Sequence, residues 1–229
     1  MKVLVACEES QAVTIEMRRL GHEAYSCDII ECSGGHPEWH IMRDVLPLLN
    51  GNCEFMTMDW SEHEINGRWD MIIAHPPCTY LSNAGARHLW KGHQLNKERY
   101  QNGLNAKEFF MAFLNAECPK IAVENPIPNR VFKLPAYTQI IQPYEYGHPF
   151  TKRTCLWLKG LPPLNPTDVV EPTATWCPSG SYSKEHCEKS RGMFTTDRAK
   201  NRSKTFPGVA RAMAEQWAGV CEKEAGDEQ

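Results

Sequence analysis

Short apolar runs alternate with amphipathic stretches along the first part of the chain. The run KVLVAC, residues 2–7, is apolar without alternation, which is typical of a parallel strand buried on both faces. The next stretch, QAVTIEMRRLG, has apolar residues at helical spacing and stops at Gly21, so it predicts a helix. HEAYSCDII then predicts a second strand that ends at Asp28. Strand, helix, strand and acid make half of a doubly wound nucleotide-binding fold.

Later segments continue this pattern. The segments CEFMTMD (53–59) and WDMIIA (69–74) predict a third and a fourth strand. A polar stretch, 83–102, is expected to be a loop or lid before the helix NGLNAKEFFMAFLNA, whose large apolar residues lie near one face. The remaining predicted elements are a fifth strand at PKIAVENP, a later strand at KRTCLWLKG and a last helix at GVARAMAEQWAGV.

Residues 160–204 are rich in Pro, Thr, Ser and Gly and show no strong periodicity. We therefore expect an α/β, Rossmann-like catalytic domain built from residues 1–159 and 205–229, with 160–204 as a small irregular insert. Ligands of such folds bind beyond the carboxyl ends of the parallel strands. The residues that fall there are Cys7, Glu8, Asp28, Pro77, Cys78 and Glu124.

Composition places the chain among globular proteins. It has 229 residues, of which 41% are hydrophobic and 23% charged, enough for one domain with a sizeable core. The first apolar stretch is cut off by Glu8 and Glu9, too early for a signal peptide or a membrane span. Ten scattered cysteines without an export signal indicate free thiols in a reducing cytoplasm. We expect a cytoplasmic protein with no membrane partner.

The net charge of −3 hides an asymmetry along the chain. Residues 1–80 carry 13 acidic and 5 basic side chains, whereas residues 181–204 carry seven Lys or Arg against three Asp or Glu. Local basicity of this kind often faces nucleic acid, and a solvated loop without a partner explains it equally well. The candidate phosphate contacts are Arg87, Lys91, Lys189, Arg191, Arg198, Lys200, Arg202 and Lys204.

The tetrapeptide HPPC follows the fourth predicted strand. Pro76 and Pro77 fix two φ angles, so the loop is stiff and presents the thiol of Cys78 in a set position. A thiol held in this way is a prepositioned nucleophile, although the same turn can be purely structural.

Two further side chains complete a candidate site. Glu124 follows the apolar run IAV, where burial raises the pKa of a carboxyl and suits it to donate a proton. A helix cap or an ion pair is the alternative use. Arg153 opens a strand, where a fixed guanidinium can bind a carbonyl or support a thiolate. Alone, Arg153 would be interpreted as an ordinary cation at a strand edge.

Together the three groups fit one reaction on cytosine. A thiolate that adds to carbon 6, with a proton placed on ring nitrogen 3, turns carbon 5 into a nucleophile. That carbon can accept a methyl group, and loss of its proton then expels the cysteine. The reaction needs a cysteine, an acid, a cation and a methyl donor.

The order of these pieces resembles the DNA cytosine-5 methyltransferase family, and the whole chain is similar to its small members encoded by bacteriophages. The resemblance covers most of residues 1–159 and 205–219. The loop VACEES differs from the family's glycine-rich loop, and Cys155 stands where the family has a second arginine. The matching motifs are Pro77-Cys78, Glu124-Asn125-Pro126, Thr151-Lys152-Arg153 and Phe206-Pro207-Gly208-Val209.

The resemblance implies a Rossmann-like S-adenosylmethionine-dependent methyltransferase fold, with DNA as the partner and a monomer as the working form. Cys78 would be the nucleophile, Glu124 the acid at nitrogen 3 and Arg153 the cation near the base. The cytosine would be flipped out of the duplex so that the thiol can reach its face. The residues implied to hold S-adenosylmethionine are Val5, Ala6, Cys7, Glu8, Ser10, Asp28, Ile29, Asp44, Val45, Pro77 and Val209.

Two other functions stay open at this point. The same chemistry could act on a free deoxycytidine nucleotide, or the protein could be an inactive DNA-binding or decoy protein that keeps the fold. No metal is expected, because Cys177, His186 and Cys187 lack the spacing of a zinc site, even with Cys155 as a fourth ligand.

Overall fold

The computed structural model describes residues 1–176 and 203–221. It is mixed α/β, with three α-helices in the described part: α1 (Ala12–Arg19), α2 (Lys97–Leu114) and α3 (Pro207–Trp217). Short 3-10 helices occupy Pro37–Trp39, Leu46–Leu48, Asn83–His88, Arg130–Phe132 and Pro143–Glu145. The strands are β1 (Lys2–Ala6), β2 (Glu23–Asp28), β3 (His40–Met42), β4 (Cys53–Met56), β5 (Glu62–Ile65), β6 (Met71–Ala74), β7 (Trp90–Lys91), β8 (Gln94–Leu95), β9 (Lys120–Pro126), β10 (Gln139–Ile141), β11 (Phe150–Thr151), β12 (Thr154–Lys159) and β13 (Ala174–Thr175).

Seven of these strands form a central sheet in the order β10-β12-β9-β6-β1-β2-β3. Only β12 runs antiparallel to its neighbours β9 and β10, and the other adjacent pairs are parallel. The direction of winding reverses between β1 and β6, and a switch point of this kind leaves a crevice at the carboxyl ends of the strands. Ala6 pairs with both Cys27 and Ala74, so β1, β2 and β6 end at the same level.

Helices cover the sheet on both faces, because successive residues of a buried strand point to opposite sides. Val3 and Val5 lie in one core cluster with residues of α1 and α3, such as Met17 and Trp217. The other face of β1 belongs to a second cluster that includes Phe110 of α2. Burial on both faces explains why β1 has an unbroken apolar sequence.

Most predicted elements are present, but the segment that forms the strand beside β2 differs from the prediction. The segment 53–59 does not join the central sheet; its strand β4 pairs with β5 in a separate hairpin, and β3 takes the place beside β2. The polar stretch 83–102 is also more structured than a loop. It contains the 3-10 helix Asn83–His88, the β7–β8 hairpin and the start of α2, which Asn96 caps by accepting a hydrogen bond from the backbone N–H of Arg99.

The first part of the insert packs against the rest of the domain. Strand β13 pairs with β11, and Leu164 is buried in the cluster that holds α3. Trp217 donates from its indole nitrogen to the carbonyl of Pro162 at 2.9 Å. Residues 177–202 lie outside the described residues.

The eight cysteines of the described residues are free thiols. None of the helices within residues 1–176 and 203–221 has both the length and the apolar character needed to cross a bilayer.

Candidate active site

A cavity of about 520 Å³ opens at the carboxyl edge of the sheet, and we call it the main cavity. Its volume lies within the range of about 300–1,000 Å³ that is common for small-molecule sites. Two loops frame it: the β1 loop, Cys7–Gln11, and the β6 loop, His75–Cys78. The lining residues include Cys7, Glu8, Glu9, Ser10, Asp28, Ile30, His75, Pro77, Cys78, Arg99, Lys152 and Lys204.

The β1 loop is held in an unusual backbone shape without glycine. Cys7 and Gln11 have φ angles of 58° and 57°, a left-handed conformation that glycine adopts without steric cost. The neighbouring segment locks this shape, because the N–H of Ser33 donates to the carbonyl of Glu9 at 2.7 Å. A Cβ on Gly34 would lie only 2.6 Å from Cβ of Gln11, so glycine is needed at that contact.

Glu8 joins the β1 loop to helix α1. One carboxylate oxygen accepts from the N–H of Val13 at 2.6 Å, and the other accepts from the hydroxyl of Thr14 at 2.8 Å. These groups belong to the first turn of α1, where a negative charge is stabilised by unpaired N–H groups. Burial raises the pKa of Glu8, and the nearby His75 and the hydrogen-bond donors offset only part of this effect.

The same end of the main cavity is acidic. Burial and the charges of Asp28, Cys27 and Asp44 raise the pKa of Cys7 far above its ordinary range. Burial also raises the pKa of Asp28, and the negative charge of Glu9 adds to it, while backbone N–H groups act against the shift. Cys7 is therefore a neutral thiol, and this end suits a cation or a ligand that donates hydrogen bonds.

The β6 loop places Cys78 on the opposite wall. Pro76 is buried, and the amide nitrogen of the buried Asn125 donates to its carbonyl at 2.8 Å. The N–H of Ser82 donates to the carbonyl of Cys78 at 3.0 Å, which closes a turn directly after the loop. Cys78 itself is half-buried and lines the main cavity.

Arg99, in the first turn of α2, supports the turn that follows Cys78. Its guanidinium donates to the carbonyls of Thr79 at 2.9 Å and Gly85 at 3.4 Å. The same group lies over the ring of Tyr80, 5.0 Å from its centre. Since Arg99 also lines the main cavity, it connects the position of α2 to the position of Cys78.

Glu124 lies behind the main cavity rather than on its wall. Its side chain is 14% exposed and lines a smaller cavity of about 20 Å³, which shares Lys152 and Thr205 with the main cavity. His75 donates from Nδ1 to Oε2 of Glu124 at 3.2 Å, and the side chain of His75 is 6% exposed.

The pKa of Glu124 is lowered, so the sequence-based expectation of a raised value is wrong. Burial acts in the expected direction, but the hydrogen bond from His75 and the positive charge of Lys152 outweigh it. A hydrogen bond from Thr154 acts in the same direction. These neighbours therefore favour the carboxylate form of Glu124 in the free pocket.

The cation near Glu124 is Lys152 instead of Arg153. Arg153 is exposed and lines neither cavity, whereas Lys152 borders both. Adjacent residues of an extended chain point to opposite sides, so only one of the pair can face the site. Cys155 is fully buried, and burial with the charge of Glu124 raises its pKa to about 12.

Five of the residues expected to hold S-adenosylmethionine line the main cavity: Cys7, Glu8, Ser10, Asp28 and Pro77.

The other six residues of that set lie elsewhere. Val5 and Ala6 are buried within β1, Val45 is in the core, and Val209 borders the smaller cavity. Ile29 is 76% exposed, and Ile30 lines the main cavity in its place. Asp44 is exposed and accepts a hydrogen bond from the N–H of Leu46.

Of the candidate phosphate contacts, Lys204 lines the main cavity, where its ammonium donates to the hydroxyl of Ser33 at 3.3 Å. Lys91 is exposed in β7, and Arg87 falls in the 3-10 helix Asn83–His88. The others lie outside the described residues: Lys189, Arg191, Arg198, Lys200 and Arg202.

Sequence reasoning did not single out His75, Lys152, Glu9 or Arg99 as site residues. His75 could have been found, since it directly follows the apolar run of β6, where the chain reaches the carboxyl edge. Arg99 could not, because its contacts with the turn after Cys78 depend on how α2 packs.

Within residues 1–176 and 203–221, no three His, Cys, Asp or Glu side chains are grouped as metal ligands. Cys177, His186 and Cys187 lie outside the described residues. Comparison of the chain with protein-family models and with curated proteins found no match. A function is therefore inferred from the cavity itself.

Proposed function

We propose that this protein is an S-adenosylmethionine-dependent enzyme that methylates carbon 5 of cytosine in DNA, with Cys78 as the covalent nucleophile. One observation carries the proposal: Cys78 shares a single cavity with the β1 loop and with Asp28. In a doubly wound sheet this is the position of a nucleotide-like ligand.

The residues around the acidic end fit the methyl donor. When bound, S-adenosylmethionine supplies a methyl group as an electrophile on a positively charged sulfur. The carboxylates of Glu9 and Asp28 favour a cation in the cavity, and Asp28 would accept hydrogen bonds from ribose hydroxyls. Cys7, Ser10 and Pro77 would contact the same ligand.

The opposite wall fits cytosine. Sγ of Cys78 would form a bond to carbon 6 while ring nitrogen 3 takes a proton from the carboxyl group of Glu124, and that proton returns to Glu124 when the sulfur leaves. The ammonium of Lys152, which lines both cavities, would donate to the carbonyl oxygen of the base, the role expected for Arg153. Later loss of the carbon 5 proton breaks the bond between sulfur and carbon 6 and regenerates the thiolate.

A cytosine in the main cavity reaches Glu124 only if a side chain between the two cavities moves. Lys152 and Thr205 stand between Glu124 and the main cavity, since they line both. A bound cytosine that reaches Glu124 has to displace the Lys152 side chain, which is long and flexible. The proposal therefore includes a shift of Lys152 on binding.

DNA is proposed as the partner because basic groups lie at and near the cavity. Lys204 is on its wall and Lys91 is exposed in the β7–β8 hairpin. Each phosphate that such residues neutralise makes binding weaker as the salt concentration rises.

The test is transfer of a tritiated methyl group to duplex DNA, single-stranded DNA and deoxycytidine monophosphate. We expect label in duplex DNA and none with Cys78→Ser, while Cys53→Ser, a half-buried cysteine in the β4–β5 hairpin, transfers normally. Duplex DNA that contains 5-fluorocytosine should remain covalently attached to the wild-type protein, because the fluorine at carbon 5 cannot leave as a proton.

Other results of the methyl-transfer assay would support the two alternative functions. Label in deoxycytidine monophosphate alone would assign the chemistry to a free nucleotide. DNA binding without label and without a covalent complex would indicate an inactive binding protein. Equal transfer by wild type and Cys78→Ser would overturn the role of Cys78.

A further inference from the structure

A further cavity of about 420 Å³ adjoins the main cavity, and we call it the side groove. Residues of β7 and of the first turns of α2 form its walls, and His88 and Arg99 line both this groove and the main cavity. A strand whose base occupies the main cavity beside Cys78 can therefore continue directly into the groove. The lining residues used below are Tyr80, Trp90, Lys91, Glu98, Arg99 and Asn102.

The β7–β8 hairpin that carries Trp90 is tied to the core and to α2. Leu89 is buried, and its carbonyl accepts from the N–H of Asn96 at 2.9 Å. The side chain of Asn96 also caps α2. Adjacent residues of an extended chain point to opposite sides, so the burial of Leu89 turns Trp90 outward. The exposed place of Trp90 is therefore set by the fold.

Trp90 differs from the tryptophans of the core. Trp69, Trp157 and Trp217 are buried, and the indole N–H of each donates to a backbone carbonyl at 2.7–2.9 Å. Trp90 is 50% exposed and borders the groove. A large aromatic surface left open beside a cavity offers a face on which a planar ligand can stack.

The side groove is also cationic. Lys91 and Arg99 line it against a single carboxylate, Glu98. The guanidinium of Arg99 is fixed by the carbonyls of Thr79 and Gly85 and lies over the ring of Tyr80. A guanidinium held in place loses little conformational entropy when it binds a phosphate. Cations beside an open aromatic ring are the combination that binds unpaired nucleotides.

We propose that the side groove binds the nucleotide next to the flipped cytosine, with its base stacked on Trp90 and the phosphate between the two nucleotides held by Arg99 and Lys91. The half-buried amide of Asn102 offers a donor and an acceptor to the edge of that base. This inference rests on the proposed function, because the cytosine in the main cavity defines which nucleotide is the neighbour. It adds that two adjacent bases, and not one, leave the stack.

The experiment measures the binding of two fluorescent strands of equal length, oligothymidylate and an abasic strand, by anisotropy. Both carry the same phosphates, but only the first has bases that can stack. The wild type should bind oligothymidylate at least about fivefold more tightly than the abasic strand. Trp90→Ala should lose at least about fivefold in affinity for oligothymidylate and less than about twofold for the abasic strand. Trp90→Phe keeps an aromatic face and should stay within about threefold of the wild type on both strands.

Two further variants separate stacking from charge and from general effects. Trp60→Ala removes an 82% exposed tryptophan from the turn between β4 and β5, which lines neither the main cavity nor the side groove, and it should change neither affinity. Lys91→Gln should weaken both strands equally and reduce the salt dependence of binding by about 0.7 in the logarithmic slope. A wild type without preference for oligothymidylate, or an equal loss on both strands in Trp90→Ala, would overturn the inference.

The binding measurement is independent of methyl transfer, since it needs neither a methyl donor nor the thiol of Cys78. If oligothymidylate binding depends on Trp90 in a protein that methylates no cytosine, the groove is a nucleotide site and the proposed function fails. If duplex DNA is methylated while Trp90→Ala keeps both the KM for DNA and the strand preference within about twofold of wild type, the proposed function stands and this inference is overturned.

Discussion

The two loops that frame the main cavity keep their shapes by different means. The β1 loop is fixed by bonds to its surroundings: Glu8 caps α1, and two residues stay in the left-handed region because neighbouring segments hold them. The β6 loop is stiffened by its own covalent structure at Pro76 and Pro77, and hydrogen bonds of His75 and Pro76 attach it to the rest of the fold. The shape of the β1 loop depends on contacts with the rest of the fold, whereas the prolines make the β6 loop stiff by itself.

The largest expected effect is at the cap of the β1 loop. Glu8→Ala leaves the N–H groups of Val13 and Thr14 buried without their acceptor, so the free energy of unfolding should fall by about 2–3 kcal/mol. Urea denaturation measures the change. Glu31→Ala, at an exposed carboxylate in the same half of the chain, should change it by less than about 0.5 kcal/mol. Equal small changes in both variants would show that the cap is not what holds this loop.

A smaller loss is expected when the buried hydrogen bond from Asn125 to the β6 loop is removed. Asn125→Ala leaves the carbonyl of Pro76 without its donor, which should lower the free energy of unfolding by about 1–2 kcal/mol. The control is Asn105→Ala on the exposed face of α2, with an expected loss below about 0.5 kcal/mol. If Asn125→Ala cost more than Glu8→Ala, the contrast between the two loops would be reversed.

The cysteines of the two loops should differ in reactivity, although both line the main cavity. Burial and neighbouring carboxylates raise the pKa of Cys7, and only a thiolate is alkylated rapidly. Iodoacetamide at mildly alkaline pH should therefore label Cys78 at least about tenfold faster than Cys7, equivalent to about 1.4 kcal/mol in activation free energy. Peptide mass spectrometry gives both rates.

Asp28→Asn sharpens the same comparison. It removes one of the charges that raise the pKa of Cys7, so Cys7 should react faster in this variant than in the wild type. Comparable labelling of Cys7 and Cys78 in the wild-type protein would contradict the electrostatic account of the β1 loop.

The smallest effect is expected at the prolines. Pro77→Ala should lower the free energy of unfolding by only about 0.5–1 kcal/mol, chiefly because the unfolded chain gains freedom. Pro47→Ala, at another exposed proline, should cost a similar amount. Only Pro77→Ala should change the rate at which Cys78 is alkylated. A change of that rate in Pro47→Ala, or none in Pro77→Ala, would argue against a special role of the proline pair.

The parts of the fold that sequence predicted are those with a long, regular pattern. Strand β1 and helix α3 bury most of their residues, so their apolar spacing is visible without any tertiary information. Strand β3 has three residues and no period, and its place beside β2 depends on how the chain packs. The segment 53–59 has a clearer apolar pattern than β3 and was therefore predicted as the third strand. Its strand β4 pairs instead with the acidic strand β5.

The site was predictable where a residue ends a strand and uncertain where orientation matters. Cys78 and Asp28 reach the main cavity because the carboxyl ends of parallel strands meet there. The choice between Lys152 and Arg153 depends on which side of the chain faces inward, and a shift of one residue exchanges the two. The lowered pKa of Glu124 depends on His75 and Lys152, which are distant in sequence.

The reversed direction of β12 has a consequence for engineering. Because this strand starts at the pocket and leads away from it, the chain leaves the site at Lys152 and returns at Lys204 and Thr205 on the cavity wall. Both ends of the intervening cassette are anchored, through the β11–β13 pair and through α3. Replacement of residues 177–202 by a segment from another protein is therefore expected to leave the central sheet and the main cavity in place.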